Sequence, residues 1–176
     1  MPQRLQLRAM TAEEFERFCE RTIAEYAAEH VRSGDWSAQA APRLAAQETA
    51  SLLPHGRDTA GMLLLCAEHP SDGVVGTAWV ALEHGEKRGA WIYEIDIQPE
   101  HRGNGYGREL LSVLERTVLE HGIEELGLNV FAGNAVARGL YESSGYETTS
   151  LHMRKRLGES AERHARSAAD QRAGAE

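Results

Sequence analysis

Two cysteines, Cys19 and Cys66, in 176 residues are too few for a disulfide framework or a thiolate metal site. A reduced, cytoplasmic protein is the expectation. Long apolar runs are missing: the longest, Met62 to Ala67, falls far short of the ~20 residues of a membrane span. The opening residues, MPQRLQLRAM, lack the apolar centre of a secretion signal. Basic charge is in deficit: 19 Lys and Arg against 27 Asp and Glu give a net charge of −8. That argues against the broad cationic footprint by which proteins hold nucleic acid phosphates. The eight histidines form no His-x-His or His-x-x-x-His pair, so no metal is expected. The glycines follow no fixed period, which excludes a collagen-like chain. What remains, 41% apolar and 26% charged residues, is the composition of one ordinary globular domain.

Arg4 to Arg8 alternates polar and apolar residues and predicts a short first strand. Thr11 and Glu14 have capping-box spacing, so a helix starts there. Phe15, Phe18, Cys19, Thr22, Ile23 and Tyr26 give that helix one buried stripe, and Gly34 ends it. Ser37 to Leu53 predicts a second helix, with Pro42 either kinking it or marking its true first turn. Residues 61–68 and 74–82 read as strands joined at a turn cluster, and Ala90 to Ile97 as a third. These make an antiparallel meander.

The pattern then changes. Tyr106 to His121 is helical, with Leu110, Leu111, Leu114, Val118 and Leu119 on its apolar face and Gly122 as its stop. Leu126 to Phe131 predicts a strand, Asn134 to Ser144 a short helix, and Tyr146 to Leu157 a final strand. Strand–helix–strand implies a crossover, so strands 90–97 and 126–131 should be parallel neighbours. The expected fold is mixed α+β with about four helices. Its domain is 1–157, followed by a polar tail, 158–176, expected to be frayed or a solvated helix.

The most informative stretch lies between a strand and a helix: Gln98-Pro99-Glu100-His101-Arg102-Gly103-Asn104-Gly105-Tyr106-Gly107-Arg108. Three alternate glycines let the backbone adopt conformations closed to other residues and approach a ligand closely. Successive N–H groups can converge on an anion, and the helix start adds partial positive charge. Arg102 and Arg108 would put fixed cations beside it. The product is a pyrophosphate cradle on an acidic protein. A Walker loop would need Gly-Lys-Ser/Thr at its end, which is absent. A dinucleotide fingerprint would need a glycine where Arg108 stands. A tight loop with a plain helix start is the bland alternative.

Arg102-x-x-Gly105-x-Gly107 after a strand resembles the acyl-CoA signature of the GCN5-related N-acetyltransferases. Downstream, Leu128-Asn129-Val130, Asn134, Ala137, Leu140-Tyr141-Glu142, Gly145-Tyr146 and Met153-Arg154-Lys155 follow that family's order and spacing. The resemblance covers roughly residues 60–157 strongly. The two N-terminal helices agree with the family's opening without a specific motif. The family usually ends on two strands, whereas here twelve residues, 146–157, must supply them. A partner subunit could complete that side, and a homodimer is the default expectation.

The resemblance implies that acetyl-CoA is the acyl donor, its pyrophosphate on the amides of Arg102, Gly103, Asn104, Gly105, Tyr106 and Gly107, with Arg108 beside them. Strands 90–97 and 126–131 would part at their C-terminal ends. The pantetheine arm would lie in that gap against Ile95, Asp96 and Ile97, with an N–H at Ile97 facing the thioester oxygen. Tyr141 matches the tyrosine that protonates the departing thiolate; otherwise it is a core aromatic. Asn134 lies seven residues earlier, so the two share a helix face. It can cap the helix and reach the pantetheine.

Alternation along 90–97 puts Trp91, Tyr93, Ile95 and Ile97 on one side and Ile92, Glu94 and Asp96 on the other. Two carboxylates on a central strand are expensive unless the face is solvated or cations pair with them. Glu94 is the first candidate for general base or for binding a protonated amine, and Asp96 the second; surface ion pairs are the alternative for both. No cysteine stands as a nucleophile, so direct attack of an amine on the thioester is expected. The acceptor is an amine, favoured if cationic. Trp36 with helix 37–53 could wall its site, while Trp79 and Trp91 belong in the core. Two further readings are open: a non-catalytic acyl-CoA sensor on the same fold, and a dinucleotide-binding oxidoreductase, against which the misplaced third glycine argues.

Overall fold

The computed structural model describes residues 5–83 and 89–155. Five strands, β1 (Gln6–Ala9), β2 (Met62–His69), β3 (Gly73–Ala81), β4 (Ala90–Ile97) and β5 (Leu126–Leu128), form one sheet in that order. The first three pairings are antiparallel and β4–β5 is parallel. Four helices accompany them: α1 (Ala12–Ser33), α2 (Ala41–Leu52), α3 (Tyr106–Glu120) and α4 (Ala135–Ser143). The chain divides into two units, Met1–Ser144 and Gly145–Glu176. All of these elements lie in the first.

Local chemistry sets the element ends. At α1 the Thr11 hydroxyl accepts from the Glu14 N–H, and the Glu14 carboxylate accepts from the Thr11 N–H. Arg8 closes a two-pronged ion pair on that carboxylate at 2.8 Å per prong and holds it down at about 2. Gly34 ends the helix in the left-handed region. Pro42 falls in the first turn of α2, where its missing N–H is not needed.

Side chains alternate along β3, which fixes what each sheet face meets. Trp79 packs its ring edge-on to Phe18 of α1, with centroids 6.2 Å apart. Together with Met10, Leu53, Leu64 and Cys66 they form a buried cluster. On the other face α3 buries Leu110, Leu111, Leu114 and Val118. Leu119, expected on that apolar side, is 58% exposed: it lies past the edge of the stripe.

Three expectations need correction. The parallel strand is Leu126–Leu128, not 126–131; its pairing runs from Ala90↔Leu126 to Ile92↔Leu128 and stops. Residues 146–155 carry no regular structure, so the described part of the expected strand 146–157 is not formed. Leu151 and Met153, its alternating apolar side chains, are 81% and 87% exposed, so burial gives the segment no reason to extend. The tail 158–176 lies outside the described residues. The third correction is the alternation along β4. Trp79 faces Glu94, but the next residue, Val80, faces Ile92. Tyr93 is therefore an extra residue, a β-bulge, and it resets the pleat. Trp91, Tyr93, Glu94 and Asp96 lie on the α1 face, while Ile92, Ile95 and Ile97 lie on the α3 face.

Gly76 makes the β3–β4 approach possible. A Cβ there would stand 2.4 Å from the Asp96 carbonyl oxygen and 2.8 Å from the Ile97 side chain. The first neighbour is backbone and cannot swing away. Gly76→Ala is expected to part the strands beside Asp96 and to destabilise the fold by about 1–3 kcal/mol, as overpacking does. Thermal unfolding measures it; an unchanged midpoint would contradict the register.

Candidate active site

β4 continues five residues beyond its last parallel partner, as Tyr93–Ile97. The edge groups of that stretch can be assigned. The Gln98 N–H donates to the Val75 carbonyl at 2.9 Å. Ile97 and Gly76 are therefore an antiparallel pair whose own polar groups point away from each other. Ile97, and by alternation Ile95, turn N–H and C=O toward the β5 side, where the strand has no ladder. An extended, amide-bearing ligand needs such an edge.

The glycine turn follows at once. A 3₁₀ turn, Pro99–His101, leads to Gly103 and Gly105, with φ of 80° and 85°. Gly105 caps α3 with no side chain to bond its amides. The N–H groups of Tyr106, Gly107 and Arg108 are the helix's free donors, and Glu109 is the first to bond back, to Gly105. A Cβ at Gly103 or Gly105 would meet nothing within 4 Å. The glycines are required by conformation, and the space over them is open. The Asn104 side-chain amide ties the turn to the His101 carbonyl at 3.2 Å. The Tyr106 hydroxyl reaches Asp72 in the β2–β3 turn.

The two arginines do not stand as free cations. Arg102 donates from Nη2 to Asp96 Oδ1 at 3.1 Å and from Nε to the Ile97 carbonyl at 2.8 Å. Arg108 donates from Nη2 to Ser143 Oγ at 2.8 Å, fastening α3 to the end of α4. An anion at this turn would meet backbone amides rather than two fixed guanidiniums. Arg102 is 58% exposed along its side chain and within reach of the turn.

The bulge brings both carboxylates to the α1 face, and each has a cation. Arg21 of α1 donates from Nη2 to Glu94 Oε1 at 3.0 Å and to Thr77 Oγ1 at 2.8 Å. Arg102 holds Asp96. Glu94 Oε2 and Arg21 Nε are buried with no partner among the described residues. Burial pushes the Glu94 carboxyl up to about 7; Arg21 opposes the rise, and the charges of Asp96 and Glu25 add to it. Glu25, one turn along α1 from Arg21, is itself raised by burial and by Asp96.

Tyr141 of α4 is 8% exposed. Burial, then the Glu94 charge, pushes its hydroxyl up to about 12. Asn134 caps α4, its Oδ1 accepting from the Ala137 N–H at 3.1 Å, and remains exposed. Trp36 stacks on His30 at 3.9 Å, with Tyr26 edge-on to both and Phe131 edge-on to His30. No sequence motif marks Arg21, Thr77 or Glu25. For Arg21 a signal exists: it stands three residues after Phe18 and one before Thr22, on the margin of the buried stripe.

The arrangement offers a neutral phenol, a carboxyl poised near 7, an open strand edge and an amide cradle at one end of β4. Comparison with known proteins gives the family. The model of the acetyltransferase (GNAT) family matches residues 16–146. The uncharacterised N-acetyltransferase YycN of Bacillus subtilis (strain 168) is 34% identical over 155 residues, 87% of this chain and 99% of YycN. YdgE of the same organism, also an uncharacterised N-acetyltransferase, is 32% identical over 153 residues, 86% and 97% of the two chains. The crystal structure of B. subtilis YycN superposes with a TM-score of 0.83, covering 87% of this chain and 98% of that one. Among the described residues no helix is long and apolar enough to cross a membrane. The chain belongs to the acetyltransferase (GNAT) family and is an N-acetyltransferase.

Proposed function

We propose that this enzyme uses acetyl-CoA and transfers the acetyl group to the primary amine of a cationic acceptor, by direct attack of the amine on the thioester. The observation that carries the reading is the meeting of two features at one end of β4: an edge that leaves its ladder after Ile92 and a glycine turn that opens α3 with the unbonded amides of Tyr106, Gly107 and Arg108. The residues present fit the donor. The amides of Gly103, Asn104, Gly105, Tyr106, Gly107 and Arg108 would take the diphosphate, with Arg102 swinging from Asp96 to join them. The backbone groups of Ile95 and Ile97 would pair with the amide-bearing arm, and Asn134 would reach it from the cap of α4; Asp96, expected to join them, instead turns its N–H and C=O toward Thr77 of β3. Bound there, the donor supplies an activated acetyl group.

The chain's own groups do the rest. The Ile97 N–H faces the acyl oxygen and opposes its growing negative charge. Glu94 takes the proton of the acceptor amine, directly or through water, at its unbonded Oε2. Of the two carboxylates it is the better placed, because it is the one with a buried oxygen that has no partner among the described residues. Tyr141 gives a proton to the leaving sulfur. Glu25 and Asp96 make the approach attractive to a positively charged acceptor. The Cys19 thiol is raised by burial and by Glu94, which holds it protonated and argues against an acyl-cysteine.

A panel of primary amines with acetyl-CoA tests this: thiol release that requires an amine, fastest for cationic ones, is expected. CoA-dependent thermal stabilisation with no thiol release from any amine would favour a non-catalytic acyl-CoA binder instead. Gly105→Val probes the cradle. A β-branched residue at φ +85° is strained by roughly 1–3 kcal/mol, so CoA affinity should fall ~5-fold to ~100-fold on the usual energy scale. Isothermal titration with CoA measures it, and unchanged affinity would remove the cradle from the turn.

A further inference from the structure

Resting on the reading of Glu94 as base, we infer that Arg21 is a positioning residue of the reaction: its guanidinium clamps one Glu94 oxygen so that the other is held ionised and aimed at the amine. Three elements meet at that group. One Nη2 bridges Thr77 of β3 and Glu94 of β4, at 2.8 and 3.0 Å. The guanidinium carbon lies 5.7 Å from the centre of the Phe18 ring, one turn back on α1. The Thr77 hydroxyl is buried, so it cannot follow a displaced arginine into solvent. The ring and the hydroxyl fix the donor plane, and the plane fixes the carboxylate. Oε1 is spent on the clamp, and Oε2, buried and unbonded, is the atom free to take a proton.

The surroundings make the cation necessary. Facing Glu94 are Cys19 and Glu25 from α1, Asp96 from its own strand and Tyr141 from α4. All of them are neutral or negative. Before the donor binds, Arg102 is held on Asp96. Among the described residues Arg21 is the only cation paired with Glu94. Without it a buried carboxyl among acids would keep its proton and could not serve as a base near neutral pH. Lysine, a compact charge on a flexible stem without the planar group that lies against Phe18, could neutralise Glu94 but would not be fixed in the plane that orients it.

The test follows the Glu94 carboxyl itself by ¹³C NMR in glutamate-labelled protein free of substrates, beside the pH dependence of kcat with the fastest amine of the panel. In Arg21→Met both the carboxyl titration and the acidic limb of kcat should move up together by about one unit or more. kcat should fall ~10-fold or more at pH 7 and regain only part of the wild-type plateau by about pH 9, the remainder being the lost aim of the carboxylate. Arg21→Lys should restore much of the limb's position but not the full kcat. Thr77→Val, which spares the charge, should lower kcat with KM unchanged and the limb nearly fixed, and it keeps the test open if Arg21→Met does not fold. A purely structural arginine would lower stability and kcat at every pH with the titration in place, and that result would overturn the inference. Glu94→Gln separates the two levels. If it abolishes the limb while Arg21→Met leaves the limb still, only the role of Arg21 fails. If it leaves the limb intact, the base assignment fails and takes Arg21 with it.

Discussion

Tyr141→Phe is expected to lower kcat by about 10²–10⁴-fold, the usual worth of a positioned acid, while the fold and CoA affinity persist. The side chain is buried on α4, so the ring is also a packing element, and Phe preserves it. What the substitution removes is the proton. The direction of the shift matters: burial and the negative charge of Glu94 raise the hydroxyl to about 12, so it stays protonated across the physiological range. A thiolate leaving group meets an acid there at every working pH. No basic limb from Tyr141 should appear below about 11. Steady-state kinetics with an amine acceptor checks the rate, and titration calorimetry checks binding. Full activity in the Phe variant would reduce Tyr141 to a core aromatic.

Glu94→Gln should cost a comparable factor, about 10²–10⁴, and should also erase a feature of the pH profile. A base works in its deprotonated form. With the carboxyl raised to about 7, that form is scarce below 7 and dominant above it. Wild-type kcat should therefore climb through pH 7 and level off, and the Gln variant should show a low, flat line there. Gln keeps the shape and can still accept from Arg21, so a loss of rate cannot be blamed on lost packing. Asp96→Asn serves as the comparison. Its carboxylate is bonded to Arg102, and its removal should weaken acceptor binding more than it lowers kcat. If Asn at 96 abolished the limb and Gln at 94 did not, the two carboxylates would exchange roles.

The glycine turn and the helix that follows were legible because backbone conformation is written in residue type: only glycine takes the left-handed positions at Gly103 and Gly105 without strain. The capping box at Thr11 and Glu14 was legible for a similar reason, since both partners lie three residues apart. β4, Ala90–Ile97, has the bounds its apolar run predicted. The bulge at Tyr93 was not legible. One extra residue leaves no mark in a strand sequence, because only the partner strand defines the register. That single residue decides which side chains accompany Glu94 and Asp96. The Arg21 clamp is of the same kind: its partners are 56 and 73 residues away, and nothing local announces them. Arg102 and Arg108 flank the turn in sequence, which by itself suggests cations beside an anion site. Flanking fixes where a Cα lies, but the acceptors within reach, Asp96, the Ile97 carbonyl and Ser143, fix where the guanidiniums go. The short β5 escaped because an apolar run gives a strand's composition and not the point where its neighbour turns aside.

The central claim is that a CoA diphosphate sits on the amides that open α3 while its arm runs along the free edge of β4. Backbone ¹⁵N–¹H spectra recorded as CoA is added read those donors one by one. The account predicts the largest displacements at Gly103, Gly105, Tyr106 and Gly107, together with Ile95 and Ile97, and with Asp96 moving as Arg102 leaves it. Displacements confined to other parts of the sheet, with these amides unmoved at saturating CoA, would contradict it.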